Sequence, residues 1–215
     1  MSDSAGFAAS ALAPPPEAPA VVLASASVAR RRLLADAGVA ATHDAPGVDE
    51  DAVKESLRAD GAPPADAAEA LAEMKARRIA VRHPGALVIG ADQILECAGT
   101  WFDKPPDRAA AAAHLRALSG RPHRLWVAAV VVRDDTRLWH QVDSAELSVR
   151  PLGAAFIDAY LDTVGDAAFT SVGAYQLEGL GAQLFTRVRG DYFTVLGLPL
   201  LPLLGFLREY RVVPS

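Results

Sequence analysis

The residues best suited to chemistry in this chain are Asp92, Glu50, Lys75, Lys104 and Arg30, with Ser25 and Ser27 close to the last in sequence. A carboxylate that follows a buried strand can take a proton from water or hold a divalent cation, and Asp92 directly follows the apolar run Ala86-Leu87-Val88-Ile89-Gly90-Ala91. Glu50 lies in the acidic run Val48-Asp49-Glu50-Asp51 and offers a second oxygen ligand for a hard cation such as Mg²⁺. Lys75, Lys104 and Arg30 are cations suited to phosphate oxygens, and the proline pair after Lys104 stiffens its backbone. Each also has a plainer explanation when taken alone. An Asp often closes a turn, clustered acids are commonly solvated, and isolated lysines mostly keep a surface soluble.

These side chains need elements to position them. Val21-Val22-Leu23-Ala24 reads as a strand, and after Ser25 and Ser27 an Arg-rich helical pattern begins at once. A strand running into a helix start presents unpaired N–H groups, the positive end of a dipole and nearby cations, which together suit an anionic group. The alternative is that Ser27 only caps the helix and the arginines are solvated. The spacing predicts a helix from Ser27 to about Ala37, ended by Gly38, and a loop or short extended piece over Ala45 to Glu50. A second helix is expected near Asp66, where Asp66-Ala67-Ala68-Glu69 resembles a capping box, with Leu71, Met74 and Ile79 on its apolar stripe and Lys75 beside it.

Further along, a strand ends at Ala91 with Asp92 at its end, and an Ala-rich helix covers Arg108 to Leu118. Leu125–Val132 and Leu138–Arg150 read as strands, and a helix covers Gly153 to Thr163. A Gly-rich stretch around Gly173 to Gly181 follows, and a last helix opens at Leu198-Pro199 and runs to about Tyr210. Strands and helices mix without a repeat, so the class is α/β with one mixed sheet. Residues 1–20 are rich in Ala, Pro and Ser and read as a disordered leader, and 21–215 read as a single domain.

Composition excludes several classes. A net charge of −5 argues against a nucleic-acid partner, which needs a broad cationic face. No apolar run reaches the length of a membrane span, and the start of the chain lacks the basic-then-apolar pattern of a secretory signal. The single cysteine, Cys97, rules out an internal disulfide and fits a reducing cytoplasm. The chain has no Walker-type phosphate loop, paired CxxC or HExxH helix, and His123 has no nucleophile near it in sequence.

Taken in order, eight segments resemble the Maf family of nucleoside triphosphate pyrophosphatases, first known as septum-formation inhibitors. They are Leu23-Ala24-Ser25-x-Ser27-x-x-Arg30, Val48-Asp49-Glu50, Leu71-Ala72-x-x-Lys75-Ala76, Ile89-Gly90-Ala91-Asp92-Gln93, Lys104-Pro105, Leu118-Ser119-Gly120-Arg121, Gly173-Ala174-Tyr175, and the run from Gly190-Asp191-Tyr192-Phe193 to Gly197-Leu198-Pro199-Leu200. The resemblance implies a central mixed sheet flanked by helices in two lobes, similar to inosine triphosphatase, with a nucleotide cleft between them and often a homodimer. It implies hydrolysis of a nucleoside triphosphate to monophosphate and pyrophosphate with Mg²⁺, Mn²⁺ or Co²⁺. Carried over by position, Asp92 activates water and can ligate the metal, Glu50 assists at the metal, and Ser25, Ser27, Arg30, Lys75 and Lys104 hold the triphosphate.

Gln93 and Glu178 resemble the 7-methyl-GTP branch of that family. The dTTP/UTP branch typically has Thr after the Asp, and Gln in place of Glu178. Three positions depart from the family pattern: Ala29 replaces the Trp that the 7-methyl-GTP branch carries before the Arg, Val127 replaces a frequent Thr or Ser, and Ser171 replaces a usual Lys. A nucleotide-binding regulator of septum formation without significant turnover is the rival reading. It has no need of a water-activating acid.

Overall fold

The computed structural model describes residues 15–214, so the expected leader lies outside the described residues as far as residue 14. Residues 15–20 form a turn, with Ala18 N–H on the Pro15 carbonyl, and deliver the Ala20 carbonyl to Leu87 N–H. The described strands form one seven-stranded sheet in the order β2-β1-β3-β5-β6-β7, with β4 also paired to β3. These are β1 (Val21–Ala24), β2 (Ala41–His43), β3 (Leu87–Cys97), β4 (Thr100–Phe102), β5 (Pro122–Arg133), β6 (Thr136–Val149) and β7 (Phe185–Arg189). β1 is parallel to β2 and β3, and the other pairings are antiparallel, so the sheet is mixed and the fold is α/β.

The helices are α1 (Val28–Asp36), α2 (Glu50–Ala59), α3 (Pro64–Ala80), α4 (Arg108–Leu118), α5 (Ala154–Val164), the short α6 (Tyr192–Val195) and α7 (Leu200–Glu209). Among the described residues no helix is long and apolar enough to cross a membrane. The continuous apolar runs in β3 and β5 are buried on both faces. On one face α3 lays Ala68, Leu71, Ala72, Ala76 and Ile79 against Val22, Val88, Ala128 and Val130. Small side chains let α3 approach the sheet closely. At Gly90 a Cβ would collide with the Ala72 carbonyl and crowd Ala76. On the other face Leu34 of α1 and Leu203 and Leu207 of α7 cover Leu23, Ile89 and Ala129. A third apolar cluster, between α4, α5 and the far end of the sheet, contains Leu95, Leu125 and Leu147.

Three local expectations differ from the structure. The acidic run opens α2, in which Asp49 caps the helix by accepting from Ala52 N–H and Glu50 is the first helical residue. α3 begins at Pro64, before Asp66, and has no side-chain cap, because Pro in the first turn already lacks one of the N–H groups a cap would satisfy. Asp92 lies inside β3 rather than at its end, since β3 continues to Cys97 along β5. What ends near Asp92 is its neighbour. β1 stops at Ala24, opposite Gly90, and β4 begins pairing on that same edge only at Leu95, so Ala91–Ile94 has a strand partner on the β5 side alone.

Candidate active site

Arg30 fills part of that open edge. Ser27 caps α1 by accepting from Arg30 N–H, and the Arg30 side chain turns inward to 8% exposure. Its Nη1 donates to the Ala91 carbonyl at 2.8 Å, standing in for the missing strand, and to Ser25 Oγ at 3.4 Å. Its Nε donates to the Gly197 carbonyl, just past α6, at 2.8 Å. Burial holds the Arg30 pKa below its ordinary value, opposed by the fields of Asp92 and Glu50. The two following arginines stay outside, Arg31 on His43 and Arg32 on Asp36.

Side chains alternate across a strand, so Asp92 and Gln93 point to opposite faces. Gln93 donates its amide to the Val195 carbonyl at 3.1 Å. Asp92 points at α3, where Lys75 Nζ sits 2.6 Å from Oδ1. The same ammonium lies 2.7 Å from Glu50 Oε2. One lysine therefore links two carboxylates from α2 and β3. The Asp92 and Lys75 side chains are 4% and 5% exposed, and that of Glu50 is 38% exposed, so the triad runs from buried to open. Partial burial disfavours the Glu50 charge, but Lys75, with lesser help from Lys54 and Arg30, outweighs it and holds the Glu50 pKa below the ordinary carboxylate value.

Asp92 Oδ2 is buried and has no hydrogen-bond partner among the described residues. Such an atom is costly unless something arrives to use it. Asp92 and Glu50 fit a divalent cation as a two-carboxylate site. No group of three or more His, Cys, Asp or Glu suited to a metal occurs among the described residues, so phosphate oxygens and water would have to complete the coordination.

Lys104 follows β4, exposed and without an ion pair among the described residues. Loss of hydration lowers its pKa first, then repulsion from Arg30, with Lys75 and Lys54 adding to it. The structure thus joins Ser25, Ser27 and Arg30 to the Ala91 carbonyl and Glu50, Lys75 and Asp92 to one another. Gln93 lies on the opposite face, on Val195, and Lys104 follows Asp103, which is paired to α2. Glu178 is exposed in the Gly-rich segment, and no hydrogen bond or ion pair ties it to them.

The sequence reading overlooked Lys54, Arg58 and Asp103, which join α2 to the segment carrying Lys104. The signal for them was present. Asp49 as a cap with Val53 and Leu57 at helical spacing marks α2, and a helix places 50, 54 and 58 on one face.

The sequence profile of the Maf-like protein family matches residues 20–210. A protein of Paramagnetospirillum magneticum named nucleoside triphosphate pyrophosphatase is 58% identical over 188 residues, covering 87% of this chain and 97% of the relative. One of Rhizobium meliloti named 7-methyl-GTP pyrophosphatase is 54% identical over 197 residues, covering 92% and 99%. The chain belongs to the Maf-like family. Within this Maf-like chain two of the three departures from the family pattern have evident local places. Val127 is fully buried, and Ser171 Oγ donates to the Tyr175 carbonyl at 2.6 Å, closing the turn that holds Gly173 and Ala174.

Proposed function

We propose that this Maf-like protein hydrolyses nucleoside triphosphates to the monophosphate and pyrophosphate. The observation that carries the reading is the buried carboxylate of Asp92, held with Glu50 by one lysine and left with an idle oxygen. The curated relatives named nucleoside triphosphate pyrophosphatase, at 50–58% identity over most of the chain, support it.

In the reaction a water oxygen attacks the α-phosphorus, the bond to the α–β bridging oxygen breaks, and pyrophosphate leaves with the electron pair. Asp92 accepts the proton that the water gives up. Negative charge grows on the phosphoryl and on the departing pyrophosphate, where Lys75, Lys104, Arg30 and the α1 N-terminus beyond Ser25 and Ser27 stabilise it. Asp92 and Glu50 would hold a divalent cation (Mg²⁺, Mn²⁺ or Co²⁺), which would supply acidification of water and screening of the phosphate charge. When the polyphosphate arrives, its oxygens compete with both carboxylates for the Lys75 ammonium.

The family resemblance assigns base recognition to Gln93 and Glu178, the latter exposed and without a contact to the other site residues among the described residues. Gln93 spends its amide nitrogen on Val195, which leaves its oxygen as an acceptor. Glu178 is acceptor-only, and two acceptors suit the N1–H and N2–H donors of guanine. The relative named 7-methyl-GTP pyrophosphatase supports a role in clearing methylated or non-standard nucleotides. The family resemblance extends the proposal to a cytoplasmic homodimer.

The test is a panel of standard and methylated triphosphates with Mg²⁺, Mn²⁺ and Co²⁺, the products being separated. Monophosphate plus pyrophosphate is expected. Asp92→Asn, which keeps an acceptor for Lys75, should retain the fold and lose at least about 10²-fold in kcat. Stepwise orthophosphate release, or binding without turnover, would overturn the reading; the latter outcome would support the regulator.

A further inference from the structure

A charge network outside the phosphate contacts fastens α2 to the segment that carries Lys104. Asp103 Oδ1 accepts from Lys54 Nζ at 3.0 Å, and its Oδ2 accepts from Arg58 Nη2 at 2.8 Å. The Arg58 guanidinium also lies 5.0 Å from the centre of the Trp101 ring, on the strand that leads into Asp103. Glu50, Lys54 and Arg58 stand at four-residue spacing along α2, so the first grips Lys75 of α3 while the other two grip Asp103. Among the described residues these are the only side-chain hydrogen bonds between α2 and residues 100–107.

The network is partly withdrawn from water. The Lys54 side chain is 10% exposed, so its ammonium depends on a partner. Burial works against that charge, and Asp92, Asp103 and Glu50 outweigh it. Asp103 is followed at once by Lys104-Pro105-Pro106. A stiff segment anchored one residue before Lys104 transmits its position to that lysine.

We propose that Asp103, gripped by Lys54 and Arg58, is a positioning residue that sets where Lys104 stands and so governs affinity for the polyphosphate tail. The proposal rests on the pyrophosphatase reading above. Loss of the latch leaves the proton acceptor Asp92 and its Lys75 contact in place, so it weakens binding more than chemistry. A purely structural role would lower stability and kcat together.

The experiment is a double-mutant cycle between Asp103 and Lys104, read both by KM and kcat for the triphosphate and by calorimetric binding of inorganic pyrophosphate. Asp103→Asn should raise KM and the pyrophosphate Kd about tenfold with kcat within about threefold, and should add less than about twofold in a Lys104→Ala background. Lys54→Arg should retain wild-type KM, and Arg58→Gln, at the more exposed end, should raise KM about threefold with the fold intact. Independent, additive effects of Asp103→Asn and Lys104→Ala, or equal losses in kcat, would overturn the latch. If Asp103→Asn fails to fold, Arg58→Gln decides by the same cycle. Pyrophosphate binding keeps the two ideas separate: a wild-type protein that hydrolyses no triphosphate but shows the coupling sinks the pyrophosphatase reading alone, and one that hydrolyses triphosphates without the coupling sinks the latch alone.

Discussion

Replacing Lys75 with Met keeps most of the side-chain volume and removes the charge that Asp92 and Glu50 share. The two Lys75 contacts, 2.6 and 2.7 Å, mean that the carboxylate oxygens would then face each other across no more than about 5 Å. At an effective dielectric of about 20, two like charges at that separation repel by about 3 kcal/mol. Deleting one partner of a buried pair typically costs about 3–5 kcal/mol, which agrees. We therefore expect Lys75→Met to lose about 3 kcal/mol of stability at pH 8, or about 6–12 °C in Tm for a chain of this size. The deficit should shrink at pH 5, where one proton shared by the carboxylates removes the repulsion. Lys75→Met/Asp92→Asn should recover about 2 kcal/mol of it, because the buried unpaired charge is gone and Glu50 is partly solvated. Guanidinium midpoints of the three proteins at both pH values make the measurement. A loss under about 1 kcal/mol at both pH values, or a double variant no more stable than the single one, would refute the electrostatic account.

Arg30→Lys should lower kcat/KM about 10²-fold with unchanged circular dichroism, since one ammonium cannot hold the Ala91 and Gly197 carbonyls as the guanidinium does; a change under about threefold would refute this. Gly90→Ala should cost about 1–3 kcal/mol or more in denaturant titration, because its Cβ meets the Ala72 backbone and must push α3 off the sheet; an unchanged midpoint counts against close packing there. His123 is buried against Tyr175, and burial pushes its pKa down to about 4 from 6.5. The unfolded chain therefore binds a proton that the native chain rejects as pH falls from 6.5 towards 4, and stability drops over that window. From pH 7 to 5 this amounts to about 2 kcal/mol, and His123→Gln should abolish that part of the acid sensitivity in urea titrations at the two pH values.

Much of the architecture was legible beforehand, for reasons visible at particular residues. Ser27 before an Arg-Leu pattern and Gly38 after it delimit α1, and Asp107 and Leu118 bracket α4, because caps are local chemistry. The buried strands show as uninterrupted apolar runs. α2 was harder to read, since its acidic start resembles a solvated loop until Asp49 is seen capping it. The end of the strand at Asp92 was misjudged because a run of side chains does not show where a neighbouring strand stops.

Residue types, caps and apolar periods were set by the chain order alone: an α/β protein with an acid, several cations and two small hydroxyls placed beside element ends. Only the folded arrangement decided which of these meet. Lys75 bridges Glu50 and Asp92 across two elements, Arg30 takes over a vacant strand edge, and Asp103 closes on Lys54 and Arg58. The physical reason is range. Capping and periodicity act within a few residues, whereas a Coulomb pair or a hydrogen bond depends on distance in space, which packing of the sheet against α2 and α3 determines.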